Sequence, residues 1–294
     1  ALEKPNCGFF YISSTDNFAK IPGSPVAYWV SEAMLRAFVD GKPINDVSQP
    51  RQGIATADNN RFLRLWYEVA LNKCGLSLTR EQAKESGLKW FPYNKGGDFR
   101  KWYGNNDYVV NWENDGYEMQ NFKNAAIRNI TFHFQRSVTW TLISSSATAF
   151  RYKPHGHLFD VAGMSMFPNE KVLSYVIAFC NTSIAYAMLQ ILSPTMNFQV
   201  GDIARLPIIF DDTQKAEIDC QVNQNISLSR ADWDAFEVSW DFKRHPLICG
   251  ERTVAEAFAK WERETEARFD TLKANEEELN RIFIDIYGLQ DELT

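Results

Sequence analysis

The chain has 294 residues, 45% of them hydrophobic and 14% aromatic, so a packed, soluble, globular protein with one large or two modest domains is expected. Its formal charge of −6 argues by itself against a nucleic-acid ligand, but that charge is unevenly placed. Residues 51–157 hold 15 Lys and Arg against 9 Asp and Glu, whereas residues after 210 hold 10 against 20, so a duplex would be drawn to the first region and repelled by the second.

The opening stretch, 1–50, sets loop signals such as Asn6-Cys7-Gly8 and Ile21-Pro22-Gly23-Ser24-Pro25 around one helical run. That run, Ser31 to Val39, repeats its apolar residues near every 3.6 positions and stops at Gly41. The stretch reads as a connector from a preceding domain. Ala1 opens the chain without an initiator Met, which fits a processed protein or an excised fragment, and no signal peptide is expected.

Residues 51–210 are dense in aromatic and β-branched residues, punctuated by Gly, Asn and Asp turns. Ile130-Thr131-Phe132-His133-Phe134 alternates, and Ser137 to Ile143 continues as a strand. A mixed α/β domain is expected here. The apolar run Val172 to Leu192 is broken by Asn181, Thr182 and Ser183, which predicts two short buried helices and not a membrane span.

From 211 onward the chain reads as helical. Thr253-Val254-Ala255-Glu256 has the form of a capping box, opening a helix with Phe258, Trp261, Phe269 and Leu272 roughly on one face. Asn275 with Glu278 predicts a second helix, with Leu279, Ile282, Phe283 and Ile286 as its stripe and Gly288 as its stop. The overall class is therefore α+β, with a helical carboxy-terminal region.

Recognisable catalytic chemistry is missing. There is no dinucleotide or P-loop glycine pattern, no nucleophile elbow and no metal-spaced Cys/His set. His155 and His157 have no third ligand nearby, and no metal is expected. The Asn/Asp-Pro-Pro-aromatic tetrapeptide with which amino-methyltransferases grip a flipped base is absent; Ser193-Pro194-Thr195-Met196 does not match it. Cys7, Cys74, Cys180, Cys220 and Cys249 are far apart and odd in number, and read as reduced thiols of a cytoplasmic protein.

Several blocks carry a resemblance. Lys89-Trp90-Phe91-Pro92-Tyr93-Asn94-Lys95-Gly96-Gly97 and the residues up to Asn105 are one; Pro50 to Phe62 is another. Ser193 to Ile203, leading into Leu206-Pro207-Ile208, and the tail segments Glu237 to Phe242, Asn275 to Asn280 and Tyr287 to Leu293 complete the set. Together they resemble the PglX-like family of large adenine-specific DNA methyltransferases of BREX phage-defence systems. The resemblance implies an amino-terminal methyltransferase domain using S-adenosylmethionine, a target recognition domain at 51–210, and a helical region at 211–294. This chain lacks the first part, so no cofactor and no catalytic residue is expected in it. Double-stranded DNA and other phage-defence components are the implied partners.

Candidate DNA contacts follow from residue chemistry beside that resemblance. Lys95-Gly96-Gly97 offers a charge and an open backbone for a phosphate, or else a loop capped by aromatic residues. Arg100, Lys101, Tyr103 and Asn105 follow at once. Arg136, Ser137 and Thr139 lie on the expected strand, whose core and groove faces are left open; Arg151, Lys153 and His155 come next. Asn197 and Gln199 alternate on an extended stretch and suit adenine edges, although Asn197 can equally fix the turn after Pro194. The competing reading is a protein-interaction scaffold with an acidic helical tail. A nuclease fragment is a third, with no metal-binding acidic motif to support it.

Overall fold

Short runs of β-branched and aromatic residues, separated by Gly, Asn and Asp turns, build three small sheets instead of one long one. The computed structural model describes residues 11, 13–144 and 147–293, so the loop at Asn6-Cys7-Gly8 lies outside the described residues. Strand β1 (Lys42–Pro43) pairs antiparallel with β9 (Pro207–Ile208). Strands β2 (Leu63–Leu65), β3 (Trp90–Asn94), β4 (Tyr108–Asn111) and β7 (Leu158–Phe159) form a sheet in the order β2-β4-β3-β7, antiparallel except for the parallel β3–β7 edge. In the third sheet β5 (Ser137–Thr139) lies between β6 (Arg151–Lys153) and β8 (Ser165–Met166), antiparallel to both.

Several of the principal helices open on a side chain that accepts from a free backbone amide. Helix α1 (Glu32–Asp40) is opened by Ser31, whose hydroxyl accepts from the Met34 amide at 3.1 Å, and it stops at Gly41. Helices α2 (Leu173–Cys180) and α3 (Ser183–Leu192) meet at 76°, so the apolar run 172–192 is a bent pair and not a rod. Asn181 makes the bend. Its side chain accepts from the Phe150 amide at 2.9 Å and donates to the Phe150 carbonyl at 3.0 Å, as a strand partner would. Among the described residues no single helix is long and apolar enough to cross a membrane.

Helix α4 (Lys215–Trp233) packs against α5 (Val254–Tyr287), a continuous helix of 34 residues. Its capping box is as expected: Glu256 N donates to Thr253 Oγ at 3.2 Å, and Thr253 N donates to the Glu256 carboxylate at 3.1 Å. The expected second start at Asn275 does not occur. Asn275 Nδ2 instead donates across the helix interface to Gln224 Oε1 at 2.8 Å and Asn225 Oδ1 at 2.9 Å, so this side chain is engaged with α4 and not with its own backbone. Gly288 closes the helix in the left-handed conformation, at φ 65°.

Residues 130–134 do not form the expected strand. Ile130–Phe132 is a single 3-10 turn, entered through Asn129 at φ 51°. Its alternating rings pack on other rings: Phe132 on Phe167 at 4.8 Å, His133 on Phe159 at 4.6 Å, and Phe134 on Phe91 at 5.7 Å. Aromatic packing here outweighs ladder pairing.

Two cores result. One lies within the four-stranded sheet, around Phe62, Phe91, Val110, Trp112 and Leu158. The larger joins α1, the β6-β5-β8 sheet, α2, α3, α4 and the second half of α5. In it Phe283 is fully buried, with Tyr175 and Phe179 at ring distances of 5.1 and 5.9 Å. The first half of α5 leaves Phe258 and Phe269 exposed. Phe283→Ala is therefore expected to cost about 3–5 kcal/mol, and Phe269→Ala less than about 0.5 kcal/mol; urea unfolding midpoints of the two variants check both.

Candidate functional site

The segment after β3 turns back on the rest of the chain, because its glycines permit it. Gly96 (φ 94°) and Gly97 (φ 124°) occupy backbone regions that side chains disfavour. A Cβ on Gly97 would meet Asn105 Nδ2 at 2.8 Å. The turn is filled by its own neighbours: Thr141 Oγ1 donates to the Gly97 carbonyl at 3.0 Å, and Asn105 Nδ2 donates to the Asp98 carbonyl at 2.9 Å.

Each half-buried cation expected to meet a phosphate here already has a carboxylate. Lys95 is 2.8 Å from Asp160, a buried acid that also accepts from Tyr93 Oη at 2.7 Å. Arg100 is 3.2 Å from Asp232 on α4 and stacks over Trp233 at 5.1 Å. Lys101 is 2.8 Å from Glu276 on α5, and the same carboxylate accepts from Trp102 Nε1 at 2.6 Å. Arg136 is 2.8 Å from Glu170. Tyr103 is buried, and burial pushes its phenol up to about 12.

The β5–β6 candidates are mostly interior. Ser137 and Thr139 are buried in the centre of the third sheet, and Thr139 Oγ1 donates to the Met164 carbonyl at 2.7 Å. Arg151 and Lys153 have essentially no exposed surface. Arg151 donates to the Arg100 carbonyl and to Thr141 Oγ1, both at 3.1 Å, and burial lowers its pKa to about 10. Lys153 directs its ammonium at the carbonyls of Gly104 (2.8 Å) and Asn105 (3.1 Å) and at Asn106 Oδ1, using all three donors. Burial, with Arg151 beside it, holds its pKa well below the usual lysine value. His155 is exposed, whereas His157 is buried against Trp240.

The remaining two candidates fare differently. Phe198 is buried, while Asn197 and Gln199 on either side of it are exposed, as alternation along an extended segment requires. Gln199 borders an open notch of about 310 Å³. Arg51, Gln52, Asn129 and Gly201 line it with Gln199. Arg51 stacks over Phe132 at 5.2 Å and donates to the Pro50 carbonyl and Gln49 Oε1, both at 2.9 Å; among the described residues no carboxylate pairs with it. Arg51 and Gln52 lie inside the Pro50–Phe62 block noted above, but neither was singled out, because nothing in one sequence distinguishes an unpaired arginine from a paired one.

The two buried imidazoles, His133 and His157, are held neutral by desolvation, which lowers both pKa values to about 3. Between that value and an unfolded-state value of about 6.5, the unfolded chain binds the protons and the folded chain does not. Stability is thus unaffected by these groups above pH ~6.5 and falls below it, by about 1.4 kcal/mol per pH unit for each histidine. Thermal midpoints measured from pH 8 to pH 4 should fall below pH ~6.5, and His157→Phe should flatten that fall by about one proton's share.

No protein-family model matches the chain. Two curated relatives do. It is 42% identical, over its whole length, to the adenine-specific methyltransferase PglX of Lacticaseibacillus casei (strain Zhang), of which it covers 26%. It is 34% identical, again over its whole length, to the adenine-specific methyltransferase BrxX of Escherichia coli O9:H4 (strain HS), of which it covers 23%. The chain spans about a quarter of the length of these relatives. With this coverage, and with the motif blocks and α+β architecture described above, the chain belongs to the PglX-like proteins, as a match to one portion of them.

Proposed function

We propose that this chain is the carboxy-terminal, DNA-recognising portion of an adenine-specific DNA methyltransferase of bacterial phage defence, and that it binds double-stranded DNA in a sequence-dependent way. The observation that carries this reading is the end-to-end match to two adenine-specific methyltransferases that are each about four times longer. Such an enzyme needs a unit that selects the site to be methylated and a unit that binds S-adenosylmethionine and the flipped base. The base-gripping tetrapeptide is absent from the 294 residues, so cofactor binding and transfer are assigned to the remainder of the parent protein and recognition to this portion. Its place of action would be the cytoplasm, where host DNA is modified.

Charge supports the same assignment in a restricted form. Lys95, Arg100, Lys101 and Arg136 are each neutralised within the chain, so they add little to the attraction of a phosphate backbone. Arg51, Arg64, Lys73, Lys84, Lys123 and Arg128 have no carboxylate within ion-pair distance among the described residues, and all six belong to the 51–157 region with its excess of basic residues. These are the cations available to release counterions. The acidic helices α4 and α5 would face away from the duplex.

Selection of the chain against a pool of random duplexes at two salt concentrations tests the proposal. An enriched motif containing adenine is expected, with log affinity falling by about 0.9 per phosphate contact for each tenfold rise in salt. Binding with no enriched motif, or no binding, overturns it.

A further inference from the structure

We propose that the notch lined by Arg51, Gln52, Asn129, Gln199 and Gly201 is the base-reading site, taking the major-groove edge of an A·T base pair with Arg51 on the adjoining phosphate. This inference rests on the duplex-recognition reading above and names where in the fold the reading is done.

Four features single out this notch. First, the side-chain amides of Gln52 and Gln199 make no hydrogen bond among the described residues, so donors and acceptors from two separate segments stand open at one place. A glutamine amide matches adenine edge-on: Nε2–H donates to N7, and Oε1 accepts from the N6 amine. Second, the Arg51 guanidinium is held by neutral oxygens only, in contrast to the four candidate cations that rest on carboxylates. Its charge remains available to a phosphate.

Third, none of the residues lining the notch is acidic, so a polyanion meets no opposing charge on its walls, whereas the larger cleft of about 750 Å³ beside Phe99 mixes Asp232, Glu276 and Glu277 with Arg100, Lys101, Arg268 and Lys273. Gly201 adds open backbone, since nothing lies within 4 Å of where its Cβ would be.

Fourth, the notch is rigidly framed. Arg51 and Ser165 exchange backbone hydrogen bonds at 2.7 and 3.2 Å. Asn129 Nδ2 donates to the Gln52 carbonyl at 2.8 Å from a left-handed backbone position. On the other wall, Phe198 N donates to the Leu142 carbonyl and Trp140 Nε1 to the Phe198 carbonyl, both at 2.8 Å. Open amides on fixed backbones lose little freedom on binding, and that favours discrimination over mere adhesion.

The test compares the whole 294-residue chain with its Gln52→Ala, Gln199→Ala and Arg51→Ala variants in random-duplex selection at two salt concentrations, with thermal midpoints confirming that each folds. Each glutamine variant is expected to bind with unchanged salt dependence but to lose about tenfold of its discrimination at one adenine position of the motif. Arg51→Ala is expected to weaken all sequences alike and to reduce the salt slope by about 1. Retention of the wild-type motif by both glutamine variants, in a chain that does select a motif, overturns the notch while leaving duplex recognition standing. A wild-type chain that selects no motif overturns recognition itself, and the notch with it.

Discussion

The arrangement of this chain depends on a buried ammonium. Lys153 Nζ is enclosed and makes hydrogen bonds to two carbonyls and a side-chain oxygen of the 104–106 turn, so the segment that follows β3 is drawn inward onto β6. A buried charge is tolerated only where its donors are all used, and this turn supplies the acceptors. From that anchor the preceding residues are set in place: Trp102 sits in the larger core, its indole and the Lys101 ammonium share the Glu276 carboxylate, and Arg100 rests between Asp232 and Trp233. The turn therefore joins the four-stranded sheet to the long helices. Its cations serve this junction before they can serve any ligand.

That constraint explains why the fold was more legible in the sequence than the candidate site. Helix ends followed local rules that one sequence displays: Ser31 before α1, Thr253 with Glu256 before α5, and Gly288 after it. The bend at Asn181 was legible as well, because a polar triplet inside an apolar run must find partners. Where local signals failed, distant partners had claimed the residue. Asn275 has the look of a cap but bonds to α4, and the alternation of 130–134 is that of a strand but serves ring packing.

The same physics divides the candidate contacts. Composition marked 51–157 as basic, and a lysine or arginine there has the same appearance whether free or paired. Only the fold shows that Lys95, Arg100, Lys101 and Arg136 rest on Asp160, Asp232, Glu276 and Glu170, and that Arg151 and Lys153 are interior. Asn197 and Gln199 were legible because alternation about a buried Phe198 is a local property. Arg51 and Gln52 were not, since their place opposite Gln199 depends on pairing between segments more than a hundred residues apart.

The internal pairing moves the expected point of contact with a duplex away from the 95–105 turn and toward the notch beside Arg51 and Gln199. There an arginine with no carboxylate partner among the described residues meets two glutamine side chains. Under the proposed function the paired turn acts as structural support, and the notch as the reading surface. Photo-crosslinking of the chain to its selected duplex, with mapping of the attached peptides, tests this most directly: attachment to residues 49–52 and 197–201 is the predicted result, and attachment confined to residues 98–105 or to α5 would contradict it.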